Sequence, residues 1–226
     1  MFYQAWLLKT LLLPQLISNV IYVIIGHFFL YIQYKNYFER YSLNKKDKKN
    51  IQYRDLFVNL FINSTISSTI GILFLQILPT NIDPDIFIEK SYYVMIIKVF
   101  ITFIISQFVF YFTHRFLHIK FMYKYIHYYH HKYEEPIALS ANYSHPIEFF
   151  ISTLPTITSG VIITEMSWVL NCFVWIPIIT IMSLLDHSGY KIFLFDPSHH
   201  DNHHKTKIHN YSSFKIIDKI FGTYKC

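Results

Sequence analysis

The stretch YYVMIIKVFITFIISQFVFYFTHRFLH, residues 92–118, holds an apolar run that passes directly into two histidines, His114 and His118. The run from Tyr92 to Phe112 is close to the roughly 20 residues a helix needs to cross the hydrocarbon of a bilayer. A helix continued past it projects both imidazoles, four residues apart, from one face. The same spacing recurs in His127-Tyr-Tyr-His130-His131 and in His200-Asp-Asn-His203-His204. The chain has 13 His in 226 residues. Scattered at random, these would give an H-x-x-H-H pattern roughly 0.04 times, so two occurrences are a signal and not composition. Neutral imidazole is the commonest metal ligand, and converging imidazoles predict a metal site.

The composition agrees with a membrane setting. Hydrophobic residues make up 53% of the chain and charged residues only 15%, where a soluble domain carries about 25% charged. The length suits one domain with a full core. Two cysteines, Cys172 and Cys226, are too few for a disulfide framework and lack metal-ligand spacing. Cys172 sits in an apolar run and reads as a buried hydrophobe.

Two further apolar runs, Leu11 to Tyr34 and Leu56 to Leu78, are also of spanning length. Residues Phe149 to Leu185 are long enough for a hairpin of two helices turning near Thr164-Glu165-Met166-Ser167. Pro14 and Pro177 interrupt two runs, which membrane helices tolerate. The first run lacks a basic leader and a small-residue cleavage site, so it reads as an uncleaved span. The connection after it carries Lys35, Arg40, Lys45, Lys46, Lys48, Lys49 and Arg54, whereas the next, around Asn81 to Glu89, is acidic. The excess of basic residues places the first connection in the cytosol, and His114 then emerges on the same side. The expected fold is all-α: an integral membrane helical bundle with a cytosolic, His-lined dimetal cap. Residues 1–91 would form the N-terminal spans and basic loop, and residues 92–226 the domain carrying the three His clusters. The run Asn44 to Asn50 reads as a solvated loop that fixes topology, and no basic stripe interleaved with aromatics suggests nucleic acid. Three glycosylation patterns, at Asn63, Asn142 and Asn210, fall in a span or on the cytosolic side and are expected to stay unmodified.

The three clusters supply eight His, and His145 and His187 add two. Such a set exceeds the about four to six ligands of one ion, so two ions sharing it are expected. The expected ligands are His114, His118, His127, His130, His131, His145, His187, His200, His203 and His204. His27, inside the first span, reads as a packed residue, and His199 and His209 lie out of register with the third cluster. A closed structural zinc shell does not fit, nor does the Glu-rich arrangement of soluble di-iron bundles. An all-imidazole pair beside a bilayer suits redox-active iron acting on a lipid. Glu148 and Asp186, near candidate ligands, either orient imidazoles or cap helices.

At these residues the chain resembles the fatty acid hydroxylase superfamily, whose pattern is H-x3-H, H-x2-H-H and a third H-x2-H-H. The resemblance covers roughly residues 92–226 and extends through Tyr123-Lys-Tyr-Ile-His127, Ser144-His-Pro-Ile-Glu148 and Asp186-His-Ser-Gly-Tyr190. The ending, Asn210-Tyr-Ser-Ser213 with Asp218-Lys-Ile-Phe-Gly-Thr223, is similar to that of sterol C-4 methyl oxidases. Ser198-His-His-Asp-Asn-His-His204 is also similar to sterol C-5 desaturases, and His209 stands where many relatives have Gly. The resemblance implies a membrane-bound non-haem di-iron oxygenase in the endoplasmic reticulum that uses O2 on a C–H bond of a sterol or acyl chain. It implies cytochrome b5 with an NAD(P)H reductase as electron donors, since the chain has no flavin or nicotinamide fingerprint. Hydroxylation and desaturation share hydrogen abstraction and stay open alternatives, and purified protein could carry zinc in place of iron. A His-rich metal transporter is the rival class. It needs ionisable or polar ligands along its spans, where His27 is the only spanning histidine. An inactive, lipid-binding relative is the third reading.

Overall fold

A computed structural model describes residues 2–43, 52–77, 91–192 and 195–226. The basic run 44–50 and the acidic connection 81–89, used above to orient the chain, lie outside the described residues. Helix α1 covers Phe2–Tyr34, α2 Tyr53–Ile77 and α3 Tyr92–Leu117. Short α4, Lys120–Tyr125, leads into a 3₁₀ turn, His127–Lys132. Helix α5 covers Pro146–Thr164 and α6 residues 168–186. Helices α7, Ser198–Thr206, and α8, Lys215–Ile220, complete the chain. Extended pairing among the described residues is limited to isolated bridges, Ser42 with Tyr190 and Ile192 with Phe195, so the fold is all-α.

Segments Leu13–Tyr34, Tyr92–Leu117 and Pro146–Thr164 are long and apolar enough to cross a membrane. Their outward residues stay apolar: Ile24, Ile96, Phe100 and Ile162 are exposed, as lipid-facing side chains must be. The hairpin read between Phe149 and Leu185 is α5 and α6. Its corner is Glu165, in the left-handed region at φ 49°, and Ser167 Oγ accepts the Leu170 N–H at 3.2 Å. Both hairpin helices widen into a π-helical turn, Phe149–Thr153 in α5 and Asn171–Trp175 in α6. Each is followed two residues later by a proline, Pro155 and Pro177. Proline lacks an N–H and its ring crowds the carbonyl four residues back, so a wider turn there relieves both problems.

Helices α3 and α5 run antiparallel in close contact. Thr102 and Thr164 hydroxyls meet at 2.9 Å and Thr113 and Ser152 at 3.2 Å, and Gly160 lies against the Thr102 backbone between them. Small residues let helix backbones approach where no hydrophobic force drives association in lipid. Helices α1 and α2 close the other side. Tyr22, Phe29, Leu56 and Leu60 share one core with Ile137, Leu139, Tyr143, Leu184 and Tyr190. The Tyr22 hydroxyl donates to the Leu139 carbonyl. Gln33 Nε2 donates to Ser188 O at 2.8 Å, and Asn59 Nδ2 to Ser144 O at 2.9 Å. The end of α1 and the start of α2 therefore meet the loops that carry His187 and His145. The described start of the next connection reaches the same loop, Leu43 N–H donating to Gly189 O at 2.8 Å.

Gly160 gives a direct test of the α3–α5 contact. A Cβ there would stand 2.7 Å from the Thr102 carbonyl oxygen and 2.8 Å from its Cα, both rigid backbone. Gly160→Ala should cost about 1–3 kcal/mol, seen as a Tm several degrees lower in detergent.

Candidate metal centre

Nine of the ten sequence-predicted ligands meet at one end of the bundle, in two adjacent groups. His114, His118, His127, His131 and His203 form one, and His130, His187, His200 and His204 the other. Eight of the nine are buried, and His118 is half-buried. The groups touch: the ring centres of His131 and His204 are 4.6 Å apart.

Local structure explains the partition. His114 lies in the last turn of α3 and His118 caps it, so both reach the first group. The second cluster was expected on an α-helix but occupies the 3₁₀ turn His127–Lys132, where residues three apart eclipse. Thus His127 and His130 stack at 5.4 Å, with their Nε2 atoms in different groups, while His131 returns to His127 at 3.1 Å. On α7, His200 and His204 share a face and a group, and His203 serves the other. His187 caps the C-terminus of α6.

Within the first group, His127 Nε2 lies 3.1 Å from His114 Nε2, and His118 Nε2 lies 3.0 Å from both His127 Nε2 and His203 Nε2. In the second, His187 Nε2 lies 3.3 Å from His130 Nε2 and 3.1 Å from His200 Nε2, itself 3.1 Å from His204 Nε2. The outer nitrogens decide what these approaches mean. His114 Nδ1 faces Tyr211 O at 2.5 Å and His203 Nδ1 faces His209 O at 2.6 Å. His130, His187 and His204 Nδ1 face the carbonyls of Tyr143, Ser183 and Tyr133 at 3.3, 2.9 and 3.2 Å. A carbonyl only accepts, so each Nδ1 carries the proton and each Nε2 presents a lone pair inward. Neutral His130 and His187 therefore aim two lone pairs at each other with no proton between them.

A proton is not the remedy. Burial first, and the charges of neighbouring imidazoles second, hold His118, His127, His131, His200 and His204 below the usual histidine range. Burial lowers His130 to about 4 and His187 to about 3. A metal cation fits instead, because two ligand nitrogens at about 2.0–2.1 Å from one ion stand about 3.0–3.4 Å apart at ordinary bond angles. The donor set is all-nitrogen, which suits iron, zinc or copper better than calcium or magnesium.

Buried acids lie around this arrangement. Glu148 Oε2 lies 3.0 Å from His127 Nδ1, so the two buried side chains face each other, without an aligned hydrogen bond. Asp186, also buried, lines the cavity beside His187. Asp218 is fully buried and accepts from the N–H groups of Tyr211 and Ser212 at 2.8 and 2.9 Å. It also faces His199 Nε2 at 2.9 Å, with its pKa lowered by these hydrogen bonds. The chain it fixes includes the Tyr211 carbonyl that orients His114. Sequence reading quoted Asp218 without giving it this role, and carbonyl partners leave no trace in side-chain identity. His145, the tenth expected ligand, is in neither group. It precedes Pro146 at the start of α5, and its Nδ1 accepts from Ile147 N–H at 3.2 Å. His199 and His209 stay outside both groups as expected, and His27 stacks on Phe57 at 5.6 Å.

Beneath the histidines lies a cavity of about 290 Å³. Its lining joins His114 and His127 of one group to His130, His187 and His200 of the other. It continues between α1, α3, α5 and α6 to Pro14, Ile157, Ile176 and Ile179. The opening thus leads from the polar cap into the depth of the spanning helices.

A family model described as fatty acid hydroxylase matches residues 99–223. The chain belongs to the fatty acid hydroxylase family. It is 37% identical over 132 residues to a protein named methylsterol monooxygenase in Dictyostelium discoideum, covering 54% of this chain and 48% of the relative. It is 34% identical over 146 residues to a very-long-chain aldehyde decarbonylase of Oryza sativa, covering 58% and 53%. To a methylsterol monooxygenase of Arabidopsis thaliana it is 33% identical over 160 residues, covering 60% and 58%. The chain thus spans about half the length of the curated relatives it matches. No solved structure gives a significant match.

Two tests follow for this hydroxylase-family site. Histidines with folded pKa values below the ordinary value of about 6.5 leave the unfolded chain binding more protons between those limits. Metal-free protein should therefore keep full stability above about pH 6.5 and lose it as the pH falls towards about 4. Thermal unfolding across that window checks the sign. Asp218→Asn should weaken metal binding about 10- to 100-fold while the protein stays helical, as measured by metal content after dialysis and by circular dichroism.

Proposed function

We propose that this protein is a membrane-bound non-haem di-iron oxygenase that oxidises a C–H bond of a lipid, with O2 as co-substrate. The observation that carries the reading is the convergence of nine imidazoles, five of them with inner lone pairs fixed by outer carbonyls, above a cavity descending between spanning helices. His114, His118, His127, His131 and His203 would hold one iron and His130, His187, His200 and His204 the other. His145 would act from outside the pair. Iron bound there supplies the activation of O2 needed to remove hydrogen from an unactivated C–H bond.

The protein's own groups account for the rest. Five carbonyls keep protons on the outer nitrogens and the inner nitrogens free. Asp218 keeps the Tyr211 carbonyl in position, and Glu148 faces His127. The cavity's extension from the histidines to Pro14, Ile157 and Ile179 among the spanning helices supports entry of a substrate from the lipid. A metal transporter is disfavoured, because the donor nitrogens gather at one end of the bundle and not along it.

Within the family we favour a sterol substrate oxidised at a C-4 methyl group. The relatives named methylsterol monooxygenase and the similar C-terminal motif support this choice. C-5 desaturation and hydroxylation of an acyl chain are the alternatives, the latter favoured by the relatives named for very-long-chain aldehydes. A cytosolic site is the reading that the basic composition of residues 35–54 supports by the positive-inside rule. An endoplasmic reticulum location fits, with cytochrome b5 and its NAD(P)H reductase supplying electrons.

The test is sterol and fatty-acid profiling in yeast lacking either the C-4 methyl oxidase or the C-5 desaturase, expressing this chain or its variants. Clearance of 4,4-dimethyl sterols by the wild type, lost in His130→Ala and His203→Ala with protein still in the membrane, is the expected result. Rescue of only the C-5 strain would replace C-4 oxidation by desaturation. Undiminished turnover in both variants would overturn the site.

A further inference from the structure

Gln107 is an amide in the wrong surroundings unless a ligand completes it. It stands seven residues before His114 on α3, two turns or about 10 Å along the axis and on the same face. It lines the cavity, is 4% exposed, and its Oε1 is buried with no partner among the described residues. The neighbouring hydroxyls of α3 are all satisfied: Thr102 by Thr164 at 2.9 Å, Ser106 by Phe103 O at 2.8 Å and Thr113 by Val109 O at 2.8 Å. An unpaired amide among spanning helices is costly, and such groups mark substrate contacts. Three other buried acceptors nearby lack hydrogen-bond partners, and one of them, Glu148 Oε2 in the cavity lining, faces His127 Nδ1 at 3.0 Å. Ser159 Oγ is outside the cavity lining, and Asn171 belongs to a half-buried residue at the opposite end of α6 from His187.

The geometry points to Gln107 as the receptor for a substrate hydroxyl, so that the lipid taken by this site is an alcohol. A hydroxyl both donates and accepts, and so satisfies the amide in either orientation. A free carboxylate is the wrong partner: it cannot donate to Oε1, and the lining holds Glu148 and Asp186 but no Lys or Arg. This inference rests on the reading of the site as a lipid-oxidising centre and narrows its substrate.

The test uses the full chain, loaded with zinc to prevent turnover, in phosphatidylcholine nanodiscs. Binding is measured for 4,4-dimethylcholestan-3β-ol against its 3-methyl ether, and for octadecan-1-ol against its methyl ether. Wild type should favour the free alcohol roughly tenfold in at least one pair, and Gln107→Leu should abolish that preference. Without lipid, Gln107→Leu should unfold at the same or a higher temperature, because the unpaired amide is gone. Equal or absent binding of alcohol and ether in both pairs, a preference that survives Gln107→Leu, or a lower Tm in that variant would overturn the inference. A preference confined to octadecan-1-ol would keep the hydroxyl receptor and remove the sterol. A preference in iron-loaded protein that never turns over would keep the receptor and remove the oxygenase.

Discussion

Lone pair facing lone pair is the constraint on which the rest of this structure depends. Nine imidazoles bring their inner nitrogens into two groups, with contacts such as His130 to His187 at 3.3 Å. Neutral rings in that pose repel, and burial keeps them neutral. Only a rigid outer frame can hold them before a cation arrives. The frame is mostly backbone: carbonyls of Tyr133, Tyr143, Ser183, His209 and Tyr211 each fix one Nδ1 proton. These carbonyls come from four separate parts of the chain, so assembly of the site requires the whole cap to be folded. Asp218, accepting from two backbone N–H groups and from the side chains of Ser212 and Thr223, is the clearest case of a residue far from any metal that nonetheless fixes a ligand's direction.

The bundle below is shaped to the same end. Prolines 155 and 177 each stand just after a widened turn, in the two helices that wall the cavity. Widened turns alter the side-chain register and leave space that regular helices would fill. Farther along α5, towards the Glu165 corner, Gly160 presses against α3. The N-terminal helices are part of this arrangement. Tyr22 and Asn59 hold the loop from Leu139 to Ser144, whose Tyr143 carbonyl orients His130.

Much of this was legible because spacing and hydropathy are local properties. The His114 and His118 pair, both H-x-x-H-H clusters, three of the spans and the corner at Glu165 follow from residue identity and period alone. His187 was legible only through its surroundings, as a lone histidine beside Asp186. His145 looked much the same, and the difference between them is position. His187 caps a helix that ends at the cluster, while His145 starts one with its ring turned to the Ile147 N–H. The 3₁₀ geometry of residues 127–132 could not be read, since the same spacing serves an α-helix. Carbonyl contacts were wholly hidden, because every residue has a carbonyl and only the fold decides which ones face inward.

The partition of the two H-x-x-H-H clusters carries a further consequence. Each cluster gives ligands to both groups: His127 and His131 to one and His130 to the other, His203 to one and His200 with His204 to the other. On α7, residues four apart share a helix face and residues three apart diverge by about 60°; in the 3₁₀ turn residues three apart eclipse instead, yet each short element reaches both neighbouring groups. The two groups cannot move apart without unwinding the 3₁₀ turn or α7. The two groups of imidazoles are thereby held at a fixed separation. Here it is set by backbone geometry within single turns and not by the packing of distant helices. Sites built on separate elements would drift with every motion of the bundle in lipid. Interleaving the imidazoles on the same turns isolates the two groups from that motion.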